Sequence, residues 1–112
     1  MAGVRIKRGE LYLVSPPPAN DPKRARAVVV VSRQTLCDSN ADKVICAPVN
    51  SSADGRSTEV PVGTDEGLKN SSVINCDQLV LIRKSVLTNY LGSLSLKRIS
   101  ELNIALKIAT GP

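Results

Sequence analysis

The chain has 112 residues, 42% of them hydrophobic, a formal net charge of +5, and no His, Phe or Trp beside two tyrosines. That length is enough for one domain (residues 1–112) with a real core, built almost wholly from aliphatic side chains, and too short for two. The lack of histidine removes the usual acid–base residue of neutral pH and argues against histidine-based ribonucleases, Ser-His-Asp hydrolases and zinc enzymes.

No apolar run approaches a membrane span, and "MAGVRIKRGE" lacks an apolar core ahead of a cleavage site, so neither a membrane location nor a signal peptide is expected. Cys37, Cys46 and Cys76 show neither CxxC nor another metal-ligand spacing. They read as reduced structural thiols of a cytosolic protein, with no metal and no cofactor.

In chain order, "GELYLVS" (residues 9–15) predicts the first strand, with Leu11 and Leu13 on one face and Tyr12 and Val14 on the other. "PPPANDP" is a loop, stiff at its start, because its prolines have no ladder donor. The second strand runs from Arg26 to Ser32, and its four consecutive valines require burial on both faces. "RQTLCDSNAD" is turn-rich, with room for one helical turn. "KVICAPV" (43–49) predicts a third strand, "NSSADGRS" a loop, and "TEVPV" a short edge strand containing Pro61. "GTDEGLKNS" is again a loop, and "SVINCDQLVLI" (72–82) reads as the longest strand. "KSVLTNYLGSLS" gives a turn and then a strand ending near Leu94. A final helix spans about Leu96 to Ala109, with Ser95 as N-cap, Leu94 and Ile99 as a hydrophobic staple, and Ile99, Leu102, Leu106 and Ala109 as its buried stripe. The expected fold is a small, mainly antiparallel barrel with helical additions.

Charge is unevenly divided along the chain. Residues 1–33 carry a net +5, residues 34–77 a net −4 and residues 78–112 a net +4. A basic face of this kind can gather polyanions while the protein stays soluble. Strand ends and loop mouths are where a small barrel displays functional groups. A shared rim of Arg26, Asn50, Ser51, Ser52, Asn75, Asp77 and Gln78 would suit a phosphodiester. Arginine binds phosphate oxygens while staying charged, a carboxylate can take the proton of a ribose 2′-hydroxyl, and hydroxyl and amide groups can hold the developing oxyanion. Asp77, amid apolar neighbours, reads as a buried carboxylate that is either tied to a cation such as Arg26 or poised for reaction.

"KRGELYLVSPPP", "RAVVVVS", "ICAPVNSS", "SSVINCDQLVLIRKSVL" and "LGSLSLKRISELNIALKIA", in that order from Lys7 to Ala109, resemble the MazF/PemK/Kid family of toxin endoribonucleases. The resemblance implies an SH3-like barrel of the MazF/PemK/CcdB type with a C-terminal helix, an α+β chain that is mainly β and forms a homodimer. It implies metal-independent cleavage of single-stranded RNA, leaving a 2′,3′-cyclic phosphate and a 5′-hydroxyl, and inhibition by a small acidic antitoxin whose disordered tail lies across the basic site. By position, Arg26 stands where the family has its catalytic arginine, although Ala27 replaces the usual following proline. Asp77 and Gln78 match the family's acid-Gln pair, and Asn50-Ser51 match the pair after the third strand. Asn50 departs from the usual threonine there, leaving Ser51 to supply the hydroxyl. Asn20 and Asn75 stand where some relatives carry a histidine and an arginine. The resulting expectation is catalysis by Arg26, Ser51 and Asp77, with substrate contacts from Asn20, Lys23, Arg24, Asn50, Asn75 and Gln78. Lys23 and Arg24, on the loop just before the valine strand, would guide the RNA backbone.

Three alternatives remain open on the sequence: a weakened or inactive member of the family, a non-catalytic RNA-binding barrel, and a CcdB-like toxin directed at gyrase. The gyrase reading lacks the tryptophan-bearing tail it needs, since the chain ends "KIATGP". The binding-barrel reading lacks aromatic stacking groups beyond Tyr12 and Tyr90.

Overall fold

The computed structural model describes residues 5–15 and 25–111. The elements are β1 (Glu10–Val14), β2 (Arg26–Val30), α1 (Gln34–Asp38), β3 (Lys43–Asn50), β4 (Glu59–Val62), β5 (Ser72–Asn75), β6 (Val80–Arg83), β7 (Tyr90–Ser93) and α2 (Leu96–Thr110), with short 3₁₀ turns at Thr64–Glu66 and Lys84–Val86. The strands run β4-β5-β3-β2-β1-β7, with β6 also on β3. Every pairing is antiparallel. The sheet curls into a half-open barrel with the C-terminal helix packed on it, so the expected SH3-like barrel is the fold observed.

Strand β2 explains the valine run. It lies between β1 and β3 near the middle of the sheet. Val29 and Val31 join Leu11, Ala47, Ile74, Leu102 and Ala105 in one cluster, beneath α2. Val28 and Val30 join Ile6, Tyr12, Cys37, Val44, Cys46 and Leu87 in a second cluster on the opposite face. Both faces of the strand are therefore dry, as the unbroken valines required. The strand ends at Val30 rather than Ser32, because the chain bulges there. The Val31 and Ser32 amides both donate to the Ile45 carbonyl, and the buried Ser32 hydroxyl accepts the Ile45 N–H at 2.6 Å.

The predicted 72–82 strand is broken. Its two pieces lie along one edge of β3: Val49 pairs with Ile74, whereas Cys46 pairs with Val80. Three steps along β3 are thus matched by six along the partner, and residues 76–79 are pushed out of the ladder as a corner. The polar trio seen in the sequence is the cause. The Asn75 side-chain oxygen accepts the Asp77 N–H at 2.9 Å, replacing a strand bond with a local turn.

The remaining elements agree closely with expectation. Pro61 lies in β4 at the edge of the sheet. The Ser95 hydroxyl accepts the Arg98 N–H at 3.2 Å as N-cap of α2. Leu102 and Ala105 are its buried residues, flanked by Ile99, Leu106 and Ala109. Gly92 of β7 lies against the carbonyl of Glu66, where any Cβ would overlap it, so this crossing requires glycine. Among the described residues no helix is long and apolar enough to cross a membrane.

Two expected outcomes follow from this packing. Leu102→Ala removes a fully buried side chain under the sheet and lowers unfolding free energy by about 2–5 kcal/mol in urea titrations. The three thiols are free and buried, and burial pushes Cys46 up to about 12 and Cys76 up to about 11. Because both lie above the 9.0 of an ordinary thiol, the folded chain keeps protons that the unfolded chain releases. Their stabilisation is complete below that value and is lost as pH rises through the folded values. The urea midpoint should fall as pH rises from about 9 towards about 11, and fall less in a Cys46→Ala/Cys76→Ala variant.

Candidate active site

The rim is assembled by strand register. Arg26 opens β2 opposite Val14 of β1. Val28 faces Pro48 in the last pair of the β2–β3 ladder; Arg26 lies two residues before Val28, and Asn50, the last residue of β3, two after Pro48. Asn50 in turn pairs with Val73. Partners across a sheet share a face, so Arg26 and Asn50 lie on the face that carries Val28 and Val30. Asn75, two residues beyond Val73 and ending β5, lies on that face as well. Arg26 is exposed, whereas Asn50 and Asn75 are half-buried. Ser51 follows β3 directly and is exposed. Asn20, Lys23 and Arg24 lie outside the described residues.

Asp77 differs from the sequence reading. It is exposed on the corner between β5 and β6, not buried among apolar neighbours, because the bulge turns it outward. Nor is Arg26 its partner. The Thr58 hydroxyl donates to Asp77 Oδ2 at 2.6 Å, and Arg56 Nη1 stands 3.7 Å from the same oxygen. Gln78 is exposed beside it, its N–H directed at the Asn75 carbonyl at 3.5 Å. The neighbouring Cys76 points the other way, into the cluster beneath α2.

Sequence reasoning missed Arg56, Thr58 and Glu59, having read the segment up to Ser57 as loop and the next five residues as edge strand. The available signal was the Asp-Gly-Arg run, a turn tip that displays a cation. Gly55 supplies the turn with φ of +74°. The Glu59 carboxylate ties the loop down by accepting the Asp54 N–H at 3.1 Å on each oxygen and the Arg56 N–H at 3.1 Å. The bond from the Asp54 amide, reinforced by that from Arg56, holds the Glu59 carboxyl below its ordinary range. Thr58 is buried, and its carbonyl accepts the Cys76 N–H at 3.0 Å, so loop and corner form one unit.

Chemically, the arrangement offers a fixed carboxylate with one oxygen held by a hydroxyl, two guanidinium groups, and amides at two strand ends. Among the described residues no group of three His, Cys, Asp or Glu side chains is placed to hold a metal ion. A groove of about 850 Å³, lined by residues that include Cys37, Asp38, Asp42 and Lys84, lies beside the start of β3, at the opposite end of that strand from Asn50. Arg26, Ser51, Asp77 and Gln78 are all exposed, so this surface is open.

Residues 7–110 match the family model described as the PemK-like, MazF-like toxin of type II toxin–antitoxin systems. The Mycobacterium tuberculosis toxin MazF-mt6 is 26% identical, with a TM-score of 0.77 over 90% of this chain and 95% of that one. Two further structures are alike in fold. An endoribonuclease from a mycobacterial species, solved with its cognate antitoxin, is 22% identical with a TM-score of 0.78 over 93% of each chain. MazF of Deinococcus radiodurans is 18% identical with a TM-score of 0.74 over 98% of this chain and 100% of that one. With its barrel, strand order and nearly full-length match, this chain belongs to the PemK/MazF family of toxins of type II toxin–antitoxin systems.

Proposed function

We propose that this toxin is a metal-independent endoribonuclease that cuts single-stranded RNA. The observation that supports the reading is a held carboxylate at Asp77 on the β5–β6 corner, with Arg26 opening β2 and Asn50 ending β3 two residues beyond the Val28–Pro48 pair. In the proposed reaction the ribose 2′-oxygen attacks the adjacent phosphorus. Asp77 takes the 2′-hydroxyl proton, and Arg26 and Ser51 stabilise the charge that gathers on the non-bridging oxygens. The bond to the 5′-oxygen breaks, that oxygen takes a proton from water, which regains one from the protonated Asp77, and the products are a 2′,3′-cyclic phosphate and a 5′-hydroxyl. The Thr58 bond fixes one Asp77 oxygen, which aims the other.

Partners follow the same chemistry. An acidic, disordered antitoxin tail would compete with RNA for Arg26 and for the basic segment ahead of β2. The mycobacterial endoribonuclease of similar fold was solved with its antitoxin, which supports such a partner here. A homodimer belongs to the same reading.

Asn50 favours one refinement, a slowed enzyme. The amide at this rim position can donate to a phosphate but cannot exchange a proton as the family's usual threonine hydroxyl can.

Incubation of the purified chain with mixed-sequence single-stranded RNA in EDTA should yield cyclic phosphate and 5′-hydroxyl ends. Arg26→Ala should cut the rate by about 10²–10³-fold, and Asp77→Asn by about 10²–10⁴-fold. Parental rates in a folded Arg26→Ala variant would remove that residue from the chemistry, and RNA bound but left intact would remove the ribonuclease reading. Asn50→Thr should raise the cleavage rate by about tenfold or more, measured in single-turnover assays, if the missing hydroxyl limits the step.

A further inference from the structure

We propose that Arg56 is a substrate-positioning residue, the cation that lets a polyanionic strand approach the Asp77 carboxylate by engaging an RNA phosphate beside it; this rests on the ribonuclease reading above. The need for such a group is electrostatic. Asp54, Glu59 and Asp77 gather at this loop and corner, in the acidic part of the sequence, and Arg56 is the single Lys or Arg between Lys43 and Lys69. A phosphodiester brought to Asp77 therefore meets several negative charges unless a cation intervenes.

The geometry fits that task better than it fits a structural ion pair. The Arg56–Asp77 separation of 3.7 Å is longer than a hydrogen bond, and the Arg56 side chain remains 64% exposed. An exposed pair of this length adds little to stability. The backbone, by contrast, is firmly held. Glu59 brackets Arg56 from both sides, its carboxylate accepting the Arg56 N–H and its own N–H donating to the Arg56 carbonyl at 3.1 Å. Thr58 then joins the loop to Asp77 through its hydroxyl and to Cys76 through its carbonyl. A fixed backbone with a free guanidinium leaves donors in a planar fork for phosphate oxygens.

The test measures binding of an uncleavable 2′-O-methyl RNA oligonucleotide by fluorescence anisotropy over a range of salt. Arg56→Ala should weaken binding about tenfold at low salt and reduce the slope of log K against log salt by about 0.7, the value for one phosphate contact on a single strand. Arg56→Lys should keep the slope, and cleavage by Arg56→Ala should show a raised KM with kcat within about threefold. In the Asp77→Asn background the cost of removing Arg56 should shrink to about threefold or less. An equal cost in both backgrounds would overturn the charge-offsetting role. An unchanged slope in a folded Arg56→Ala variant, with the parent binding RNA normally, would reduce Arg56 to a surface ion pair and leave the ribonuclease reading standing. A parent chain that neither binds nor cuts RNA would sink both.

Discussion

Two-sided burial of β2 is the constraint on which the rest of the structure depends. A strand flanked by β1 and β3 and covered on both faces can carry only apolar side chains, and Val28 to Val31 meet that demand. Each face then needs its own cover. The long helix α2 closes one, while Ile6, Cys37 and Leu87 close the other from short segments. Charge can appear only where the strand leaves the core, which is why Arg26 stands at its mouth. The packed valines behind that arginine fix the backbone from which its side chain projects.

A different device positions the carboxylate. Asp77 is presented by a corner that the sheet rejects, and its orientation is set by side chains from the neighbouring loop, not by strand packing. Precision on that side of the rim comes from hydrogen bonds to one hydroxyl and several amides, a sparse scaffold next to the dense core under Arg26. The two halves of the site therefore differ in what would disturb them: volume changes in the core for Arg26, and loss of polar partners for Asp77.

Much of the fold was legible because its signals are local or periodic. Four valines, an edge proline, and a capped helix with a regular stripe each announce their environment. The corner was not legible as such, because "SVINCDQLVLI" has strand-forming residues on both sides of the polar trio, and only pairing with β3 shows that its halves are out of step. Asp77 was consequently assigned a burial it does not have. Its ion-pair partner was beyond reach for a related reason. Arg56 lies in a loop with no periodicity, and nothing in the linear sequence connects it with a residue 21 positions later. The resemblance to a toxin family implied a chemistry, yet its residue correspondences said nothing of Arg56, Thr58 or Glu59.

The mismatch along β3 also separates two kinds of change that a sheet usually couples. Residues 76–79 are outside the ladder, and β5 and β6 pair with β3 on either side of them. Lengthening this corner between the exposed Asp77 and Gln78 would leave both registers intact, because Cys76 and Leu79 stay packed on the core at either side and the slack is taken up in the bulge. The barrel can thus remain constant while the reach of the carboxylate is retuned, residue by residue, through insertion alone.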